Sequence, residues 1–287
     1  MLSPKPMKAI YIKEFGGAEN LEVREVENLP KPRGKEVSVK VRASALNRAD
    51  IVQRQGFYPA PKGFPERILG LEFAGEIAEI GEDVSNFSIG ERVFGITAGG
   101  AQAEFLLIDA AHLAKIPENL SFIEAAAIPE AFITAHDAVF TQGNLEETET
   151  LLIHAVGSGV GLAALQLAKA KNIKVFGTSR TADKLEKCRE LGLDEAILTG
   201  ENIEFSGIIK EKSGGVDVIL DLVGAKFFNE NLESLNLKGR LILVGLTSGR
   251  TAEFNLGTAL TKRAKIIGTV LRSRSSEEKA EATQNFI

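Results

Sequence analysis

The chain has 287 residues, which is more than one typical domain and suits two. Its hydrophobic fraction of 44% and charged fraction of 25% are ordinary for a soluble globular protein with a buried core. A formal net charge of −5 gives no basic field, so neither nucleic acid nor an acidic membrane surface is an expected partner.

Cysteine content and apolar patterning exclude further classes of protein. Cys188 is the only cysteine, so the chain can form no internal disulfide and no cysteine-rich zinc site. No run of about 18 apolar residues is present to span a membrane. The N-terminal residues through Lys8 include two prolines and lack the apolar segment of a signal peptide. We therefore expect no membrane association and a cytoplasmic location.

The first part of the chain favours β-strands. Residues 9–12, 21–26 and 36–43 are rich in strand-forming residues, and the last two runs alternate apolar and polar side chains as half-buried strands do. Two further strands are predicted at 73–80 and 92–96, bounded by glycine-containing turns. This pattern predicts a β-rich domain that resembles an irregular barrel.

After about residue 124, predicted helices and strands alternate. The spacing of apolar residues predicts helices over 123–140, 162–171 and 183–191. The predicted buried strands are short apolar runs at 151–156, 174–178, 216–223 and 240–244. Such alternation is typical of a parallel sheet with crossover helices. We therefore predict an α/β chain in which a doubly wound domain follows the β-rich one.

A glycine-rich segment joins the first predicted strand of this second domain to its first helix. A dinucleotide-binding loop needs a tight turn, close approach of the backbone to the pyrophosphate, and free amides at a helix N-terminus. The candidates for these functions are Ser158, Gly159, Val160 and Gly161. The spacing departs from strict GxGxxG, because Val156 and Ser158 occupy the two earlier glycine places. A purely structural turn is the alternative, but the strand–loop–helix context favours a cofactor site.

The end of the second strand of this domain indicates which nicotinamide cofactor to expect. Folds that bind NAD usually place an acid there to bind the ribose 2′-hydroxyl. Here Ser179, Arg180 and Lys184 provide a hydroxyl donor and two cations, which suit a 2′-phosphate. Asp183 is expected to be a helix N-cap or a first-turn acid. The sequence therefore predicts NADPH rather than NADH.

Five segments, in order, resemble the zinc-free quinone oxidoreductase branch of the medium-chain dehydrogenases/reductases, and within it the p53-inducible type. They are ASALNRAD at 43–50, QRQGFYP at 53–59, ILGLEFAG at 68–75, AAAIPEA at 125–131 and LRSR at 271–274. The resemblance implies a GroES-like β-rich catalytic domain at 1–125 and a Rossmann NADPH-binding domain at 126–270. Residues 271–287 would begin a return to the catalytic domain with a charged amphipathic helix from 275.

The same resemblance implies that the chain holds no metal. In zinc-dependent relatives, a cysteine and a histidine of the first and third segments bind the catalytic zinc. Asn47 and Leu71 stand at those places here, which leaves only the carboxylate of Glu72. The three histidines have no ligand spacing and are expected to be structural; they are His112, His136 and His154.

The resemblance also implies the remaining site residues. Asn47 and Tyr58 would line the substrate pocket and hydrogen-bond a carbonyl or a developing oxyanion. The alternative is a turn-stabilising asparagine and a half-buried tyrosine, while Asp50 is expected to order the same loop. The implied cofactor contacts are Thr134 at the nicotinamide or phosphate, Val244, Gly245 and Leu246 at the ribose, and Leu271 and Ser273 at the nicotinamide ring.

Together these features predict an enzyme that uses NADPH to reduce quinones by hydride transfer. Reduction of α,β-unsaturated carbonyls and a non-catalytic NADPH-binding role are the alternatives, and one-electron delivery is left open. We also expect a homodimer, paired through the strand-rich region 241–268. The chain stops about 40 residues before members of the resembled family normally end, which predicts weaker activity than in a longer relative.

Overall fold

The protein is described here from a computed structural model, which describes residues 6–200 and 204–287. The chain divides into two compact units. The first unit contains the chain up to Ile133 together with Leu271–Ile287, and the second unit is Thr134–Val270. The predicted boundaries after residues 125 and 270 stay predictions, because compactness alone does not test which segments fold independently.

The first unit contains a β-hairpin and a five-stranded antiparallel sheet. The hairpin pairs β1 (Met7–Ile12) with β2 (Leu21–Val26). The sheet contains β3 (Glu36–Ala43), β4 (Glu72–Ile80), β5 (Arg92–Ile96), β6 (Phe105–Asp109) and β7 (Leu113–Lys115). Its strand order is β6-β3-β4-β5-β7, so β6 and β7 are opposite edges among the described strands. The five strands form an open sheet, and β1 of the hairpin is bonded beside it through bridges from Ala9 to Ala103 and from Tyr11 to Ile68.

Alternation of side chains along these strands produces the core of the first unit. Val37 and Val39 of β3 pack with Phe73 and Ile77 of β4, and all four are almost fully buried. Burying each such side chain stabilises the fold by roughly 1.5–3 kcal/mol. The periodicity of two in the sequence therefore correctly identified the inward face.

Three helices complete the N-terminal part of the chain: α1 (Arg48–Arg54), α2 (Phe122–Ala126) and α3 (Pro129–His136). The single helix predicted over 123–140 is wrong, because the chain breaks between α2 and α3. Proline has no backbone N–H and its ring obstructs a continuing helix, whereas it suits the first position of a new one. Pro129 thus ends one helix and begins the next, and a π-helical turn, Asp137–Gln142, follows.

The second unit is a six-stranded parallel sheet with crossover helices. Its strands are β8 (Thr150–Ile153), β9 (Lys174–Ser179), β10 (Glu195–Leu198), β11 (Val216–Asp221), β12 (Leu235–Leu243) and β13 (Lys265–Gly268). The helices between them are α4 (Gly159–Ala170), α5 (Ala182–Glu190), α6 (Ser206–Ser213), α7 (Phe228–Ser234) and α8 (Leu256–Lys262).

The strand order of this sheet is β10-β9-β8-β11-β12-β13, all parallel. The chain winds outward in one direction from β8 and then in the other from β11. This is the doubly wound order of dinucleotide-binding folds, in which ligands bind at the carboxyl ends of the strands where the winding reverses. The predicted α/β fold class is confirmed.

The last helix, α9 (Ser276–Phe286), belongs to the first unit. Ser275 caps its N-terminus by accepting from the amide of Glu278, as the predicted helix from 275 requires. Its apolar face packs on the first unit, where the rings of Phe132 and Phe286 lie 6.3 Å apart. Among the residues described, no helix has the length and apolar character that a membrane crossing requires.

Candidate active site

The first unit brings Asn47 and Glu72 together, 25 residues apart in sequence. Asn47 immediately precedes α1, and Glu72 is the first residue of β4. The Asn47 side chain donates from Nδ2 to Oε1 of Glu72 over 2.7 Å. The other carboxylate oxygen of Glu72 accepts the backbone N–H of Glu130 over 2.8 Å.

The Glu72 carboxylate therefore satisfies a free amide in the first turn of α3. Its side chain is only 2% exposed. Burial raises the pKa of Glu72, whereas the bonds from Asn47 and Glu130 lower it. Burial has the larger effect, so the pKa of Glu72 is raised overall, although the two N–H donors, one on each oxygen, oppose that rise.

Asp50 organises the loop that carries Asn47. One oxygen of its carboxylate accepts the backbone N–H of Asn47 over 2.8 Å, and the other accepts that of Gly70 over 2.9 Å. Gly70 has a φ of 104°, and a Cβ atom there would lie 2.5 Å from the backbone nitrogen of Gln102. Only glycine fits this close approach. Asp50 thus fixes the loop, as its place in the sequence led us to expect.

Arg272 holds the segment around Tyr58. Its guanidinium donates from Nη2 to Gln53 Oε1 over 2.6 Å, from Nε to the Ala98 carbonyl over 2.9 Å and from Nη1 to the Tyr58 carbonyl over 3.1 Å. The same group lies over the Tyr58 ring, 4.5 Å from its centroid. Arg272 lies in one of the family-like sequence segments, but no role was predicted for it.

Glu130 is the third carboxyl group of this cluster, and it was not predicted from the sequence. It follows Pro129 in the first turn of α3 and is partly accessible to solvent. Burial raises the pKa of Glu130 to about 8, with smaller contributions from the charges of Glu72 and Asp50, while Arg272 acts in the opposite direction. At neutral pH this carboxyl group therefore retains its proton.

In the second unit, the predicted glycine loop connects β8 to α4. Ser158 is the N-cap of α4, and its hydroxyl oxygen accepts the N–H of Gly161 over 3.2 Å. A Cβ atom at Gly161 would lie 2.6 Å from the Ala155 carbonyl oxygen. The helix consequently begins tight against the loop, with amides at a positive helix end. These residues fit the phosphates of a dinucleotide.

The predicted 2′-phosphate residues lie beside this loop. The Cβ atom of Lys184 lies 3.0 Å from the position that a Cβ atom on Gly157 would occupy. Ser179 ends β9, and its hydroxyl accepts the N–H of Thr181 over 3.3 Å, which leaves its own hydrogen to donate. Arg180 and Lys184 are exposed and form no ion pair with any described residue. Asp183 is the first-turn acid of α5, so the first-turn alternative holds.

A buried polar network, not foreseen from the sequence, crosses the carboxyl edge of the second unit's sheet. Asn231 Nδ2 donates to Asp221 Oδ2 over 2.9 Å, and Asn231 Oδ1 accepts from His154 Nε2 over 2.5 Å. The other ring nitrogen of His154 lies 2.9 Å from the Thr178 hydroxyl, which donates to it. Burial lowers the pKa of His154, so its ring is neutral.

Asp221 also orders two loops at this edge. Its Oδ1 accepts the amides of Val223 and Gly224 over 2.7 and 2.8 Å. Its backbone carbonyl accepts the amides of Val244 and Gly245 over 3.0 and 3.1 Å. A buried aspartate thus holds the segment that was predicted to contact the ribose.

The remaining predicted residues have varied environments. Leu246 is exposed after Gly245, and Thr134 is half-buried within α3. In the first unit, Leu271 is buried beside Ile96, whereas Ser273 is exposed. Asn47 and Tyr58 share the first unit's cluster, and the loop and cation candidates share one edge of the second unit's sheet.

The histidines and acids give no metal centre in the part of the chain described, where no group of three or more His, Cys, Asp or Glu could hold an ion. His112 is instead bonded through Nε2 to the Ser276 carbonyl over 2.9 Å.

Two protein families match the chain. The alcohol dehydrogenase GroES-like domain matches residues 33–118, and the family described as zinc-binding dehydrogenase matches residues 159–286. Quinone oxidoreductase of Homo sapiens is 33% identical over 277 residues, which is 96% of this chain and 83% of the human protein.

Solved structures show the same likeness. Quinone oxidoreductase of Pseudomonas syringae pv. Tomato DC3000 superposes with a TM-score of 0.83 at 30% identity, covering 98% of this chain and 85% of that one. The CurK enoyl reductase superposes with a TM-score of 0.82 at 25% identity, covering 99% and 86%. The chain belongs to the zinc-free quinone oxidoreductase type of the medium-chain dehydrogenases/reductases, oxidoreductases that depend on a nicotinamide dinucleotide.

Proposed function

We propose that the protein reduces quinones with NADPH as the hydride source and without a metal ion. The observation that carries this proposal is the 33% identity to human quinone oxidoreductase over 96% of the chain. The polar clusters in both units support it, because each contains the donors that its proposed ligand needs.

In the second unit, the amides at the start of α4 and the Ser158 hydroxyl would bind the pyrophosphate. Gly159, Val160 and Gly161 would supply the close backbone approach. The exposed cations Arg180 and Lys184, with the Ser179 hydroxyl, would bind a 2′-phosphate, which favours NADPH over NADH.

Other residues would orient the nicotinamide half of the cofactor. Val244, Gly245 and Leu246 follow β12, in a segment held by Asp221, and would contact the ribose. Thr134, Leu271 and Ser273 stay proposed contacts of the nicotinamide, carried by the family resemblance. The bound cofactor would supply a hydride, and the protein's part is to orient its acceptor.

In the first unit, Asn47 and Tyr58 would bind the quinone carbonyl. Asn47 uses one amide hydrogen for Glu72 and retains a second. The Tyr58 hydroxyl is protonated at neutral pH and can donate, and burial raises its pKa further. Donors preset for an oxyanion stabilise the charge that develops when hydride arrives. A quinone is already electrophilic, so orientation supplies much of the remaining acceleration.

A second candidate is NADPH-dependent reduction of a carbon–carbon double bond conjugated to a carbonyl. The structural likeness to the CurK enoyl reductase favours it. The same two donors would then polarise the carbonyl of an enone. We also propose that the protein acts as a homodimer in the cytoplasm, without nucleic acid or membrane partners.

The deciding experiment follows the oxidation of NADPH in the presence of an ortho-naphthoquinone, an alkenal or an enoyl thioester, with NADH in parallel. Rapid oxidation with the quinone and NADPH is expected, and EDTA should leave the rate unchanged. Faster turnover of the alkenal or the thioester would favour the second candidate. Tight binding of NADPH without turnover of any acceptor would refute both and identify a non-catalytic binding protein.

A further inference from the structure

We propose that Glu130 supplies the proton that completes reduction of the quinone. This inference rests on the proposed function and adds to it a proton donor that belongs to the chain itself. It identifies a third residue of the site, beside Asn47 and Tyr58.

The hydrogen bonds of the three clustered carboxyl groups distinguish Glu130 from its neighbours. Both oxygens of Glu72 and both oxygens of Asp50 accept N–H groups. Burial raises the pKa of both groups, and these four bonds oppose that rise by favouring the carboxylate form, because a protonated oxygen would lose an acceptor site. No donor among the described residues bonds the Glu130 carboxyl, so this is the group of the three that is free to hold a proton.

The negative charges around Glu130 also raise its pKa and so favour its protonated form. Glu72 of β4 and Asp50 of α1 are anions, and Arg272 of the C-terminal segment is the cation that faces them. Tyr58, from the loop after α1, is a neutral phenol at neutral pH, and burial raises its pKa further. Arg272 donates hydrogen bonds to neutral oxygens of Gln53, Ala98 and Tyr58. Two anions against one cation, together with burial, explain a pKa of about 8 for Glu130.

Access also favours Glu130 as the donor. Glu72 and Asp50 are each only 2% exposed, whereas Glu130 as a whole residue is half-buried. Glu72 moreover joins the two sides of the site, since one of its oxygens binds the Asn47 side chain and the other binds the Glu130 amide. Glu130 is therefore tied, through its backbone amide, to the carboxylate that also holds the proposed oxyanion donor Asn47.

The proposed step balances. A hydride carries two electrons and one hydrogen nucleus to the quinone, which becomes a hydroquinone monoanion. The O–H bond of Glu130 then breaks as a new O–H bond forms on the anionic oxygen. The Glu130 carboxylate regains a proton from water, so one quinone, one NADPH and one proton give one hydroquinone and one NADP⁺.

The test compares Glu130→Gln, which keeps the shape and cannot release a proton, with Glu130→Asp and with Glu118→Gln as an exposed control in the same unit. In the unmodified protein, kcat should fall as pH rises through about 8, because the protonated donor is lost above its pKa. Glu130→Gln should lower kcat by roughly 10²–10⁴-fold. It should also remove both this pH dependence and the solvent deuterium isotope effect.

Glu130→Asp should partly restore turnover, and Glu118→Gln should match the unmodified protein. A readout independent of turnover is NMR titration of the protein with ¹³C-labelled glutamate carboxyls. One carboxyl should titrate near pH 8 and be missing from Glu130→Gln. A kcat and pH profile unchanged by Glu130→Gln, or no carboxyl titrating near that pH, would overturn the proposal.

Failure of the proposed function gives a different result. The unmodified protein would then turn over no quinone at any pH while the Glu130 carboxyl still titrated as described. That outcome would refute quinone reduction as the reaction. The NMR titration would still show whether Glu130 holds the proton, so the two failures can be told apart.

Discussion

Asn47 donates to Glu72 over 2.7 Å, and this single bond links the N-terminus of α1 to the first residue of β4. The family resemblance implies that a metal ligand stands at the position of Asn47 in zinc-dependent relatives. Here an amide bonded to a buried carboxylate fixes the side chain instead. The position can therefore present a hydrogen-bond donor where a relative presents a metal ion.

Asn47→Ala should leave one oxygen of the buried Glu72 carboxylate without its donor. We expect a loss of about 1–3 kcal/mol in the free energy of unfolding. We also expect kcat/KM for the quinone to fall by roughly 10²-fold, with little change in the Kd of NADPH. Urea denaturation and steady-state kinetics test both expectations. Asn119→Ala, an exposed asparagine, is the control; equal behaviour of the two variants would contradict this role.

Arg180→Ala and Lys184→Ala should each raise the Kd of NADPH by about tenfold, because a charge-assisted hydrogen bond to the 2′-phosphate would be lost. The Kd of NADH should stay almost unchanged, since NADH lacks that phosphate. Isothermal titration calorimetry measures both constants. Lys187→Ala on the same helix is the matched control. An equal rise for NADH would show that these cations do not discriminate between the cofactors.

Asn231→Leu should remove the two hydrogen bonds through which Asn231 links Asp221 to His154, and leave buried polar atoms unpaired. We expect the free energy of unfolding to fall by about 2–4 kcal/mol. NADPH binding should weaken too, because Asp221 orders the Val244 and Gly245 loop. The control is Asn229→Leu, on the same helix as Asn231, which removes only an exposed hydrogen bond to the Glu253 carbonyl. It should lower the free energy of unfolding by less. Equal losses of stability in the two variants would argue against the network.

Arg272→Lys keeps the charge but replaces a planar fork that serves three acceptors with a single ammonium. We expect a loss of about 1–3 kcal/mol in stability and a higher KM for the quinone, because the backbone and ring of Tyr58 lose their support. Thermal unfolding and kinetics at several quinone concentrations measure this. Arg250→Lys, an exposed arginine, should change neither quantity. An unchanged KM in Arg272→Lys would refute a positioning role.

Strand β13 pairs only with β12 among the described strands, so its outer edge is available for pairing with a second copy. Ile266 on this strand is 42% exposed. Ile266→Arg should convert the proposed dimer to a monomer in sedimentation velocity, because the edge would bury a charge. Val23→Arg, on an exposed residue of the first unit, is the control. Sedimentation of the unmodified protein as a single chain would exclude the dimer.

The elements with strong local signals were predictable from the sequence. Strands β3 and β5 match the predicted ranges because their alternation and flanking turns are encoded locally. Strands β6, β7 and β10 were missed, since each has only three to five residues and no clear alternation. The helix over 123–140 was overextended because the alanine-rich periodicity outweighed Pro129.

The candidate site was predictable only where one segment contains it. The Ser158–Gly161 loop has its turn, glycines and helix within a few residues, so its pattern could be recognised. The Glu72–Glu130 pair is separated by 58 residues, and the His154–Asn231 pair by 77. Such pairings depend on how strands and helices are arranged in space, which periodicity does not encode.

The side chains of Arg272 and Gln53 are hydrogen-bonded although 219 residues separate them in sequence. This separation limits the order in which the two units can complete their folding during translation. While the chain grows on a ribosome, Tyr58 cannot contact Arg272 until the whole of Thr134–Val270 has been translated. Domains commonly fold in the order of their synthesis, N-terminal first. In this protein the second unit can finish folding before the first, because the first unit is complete only after Leu271–Ile287 has been translated.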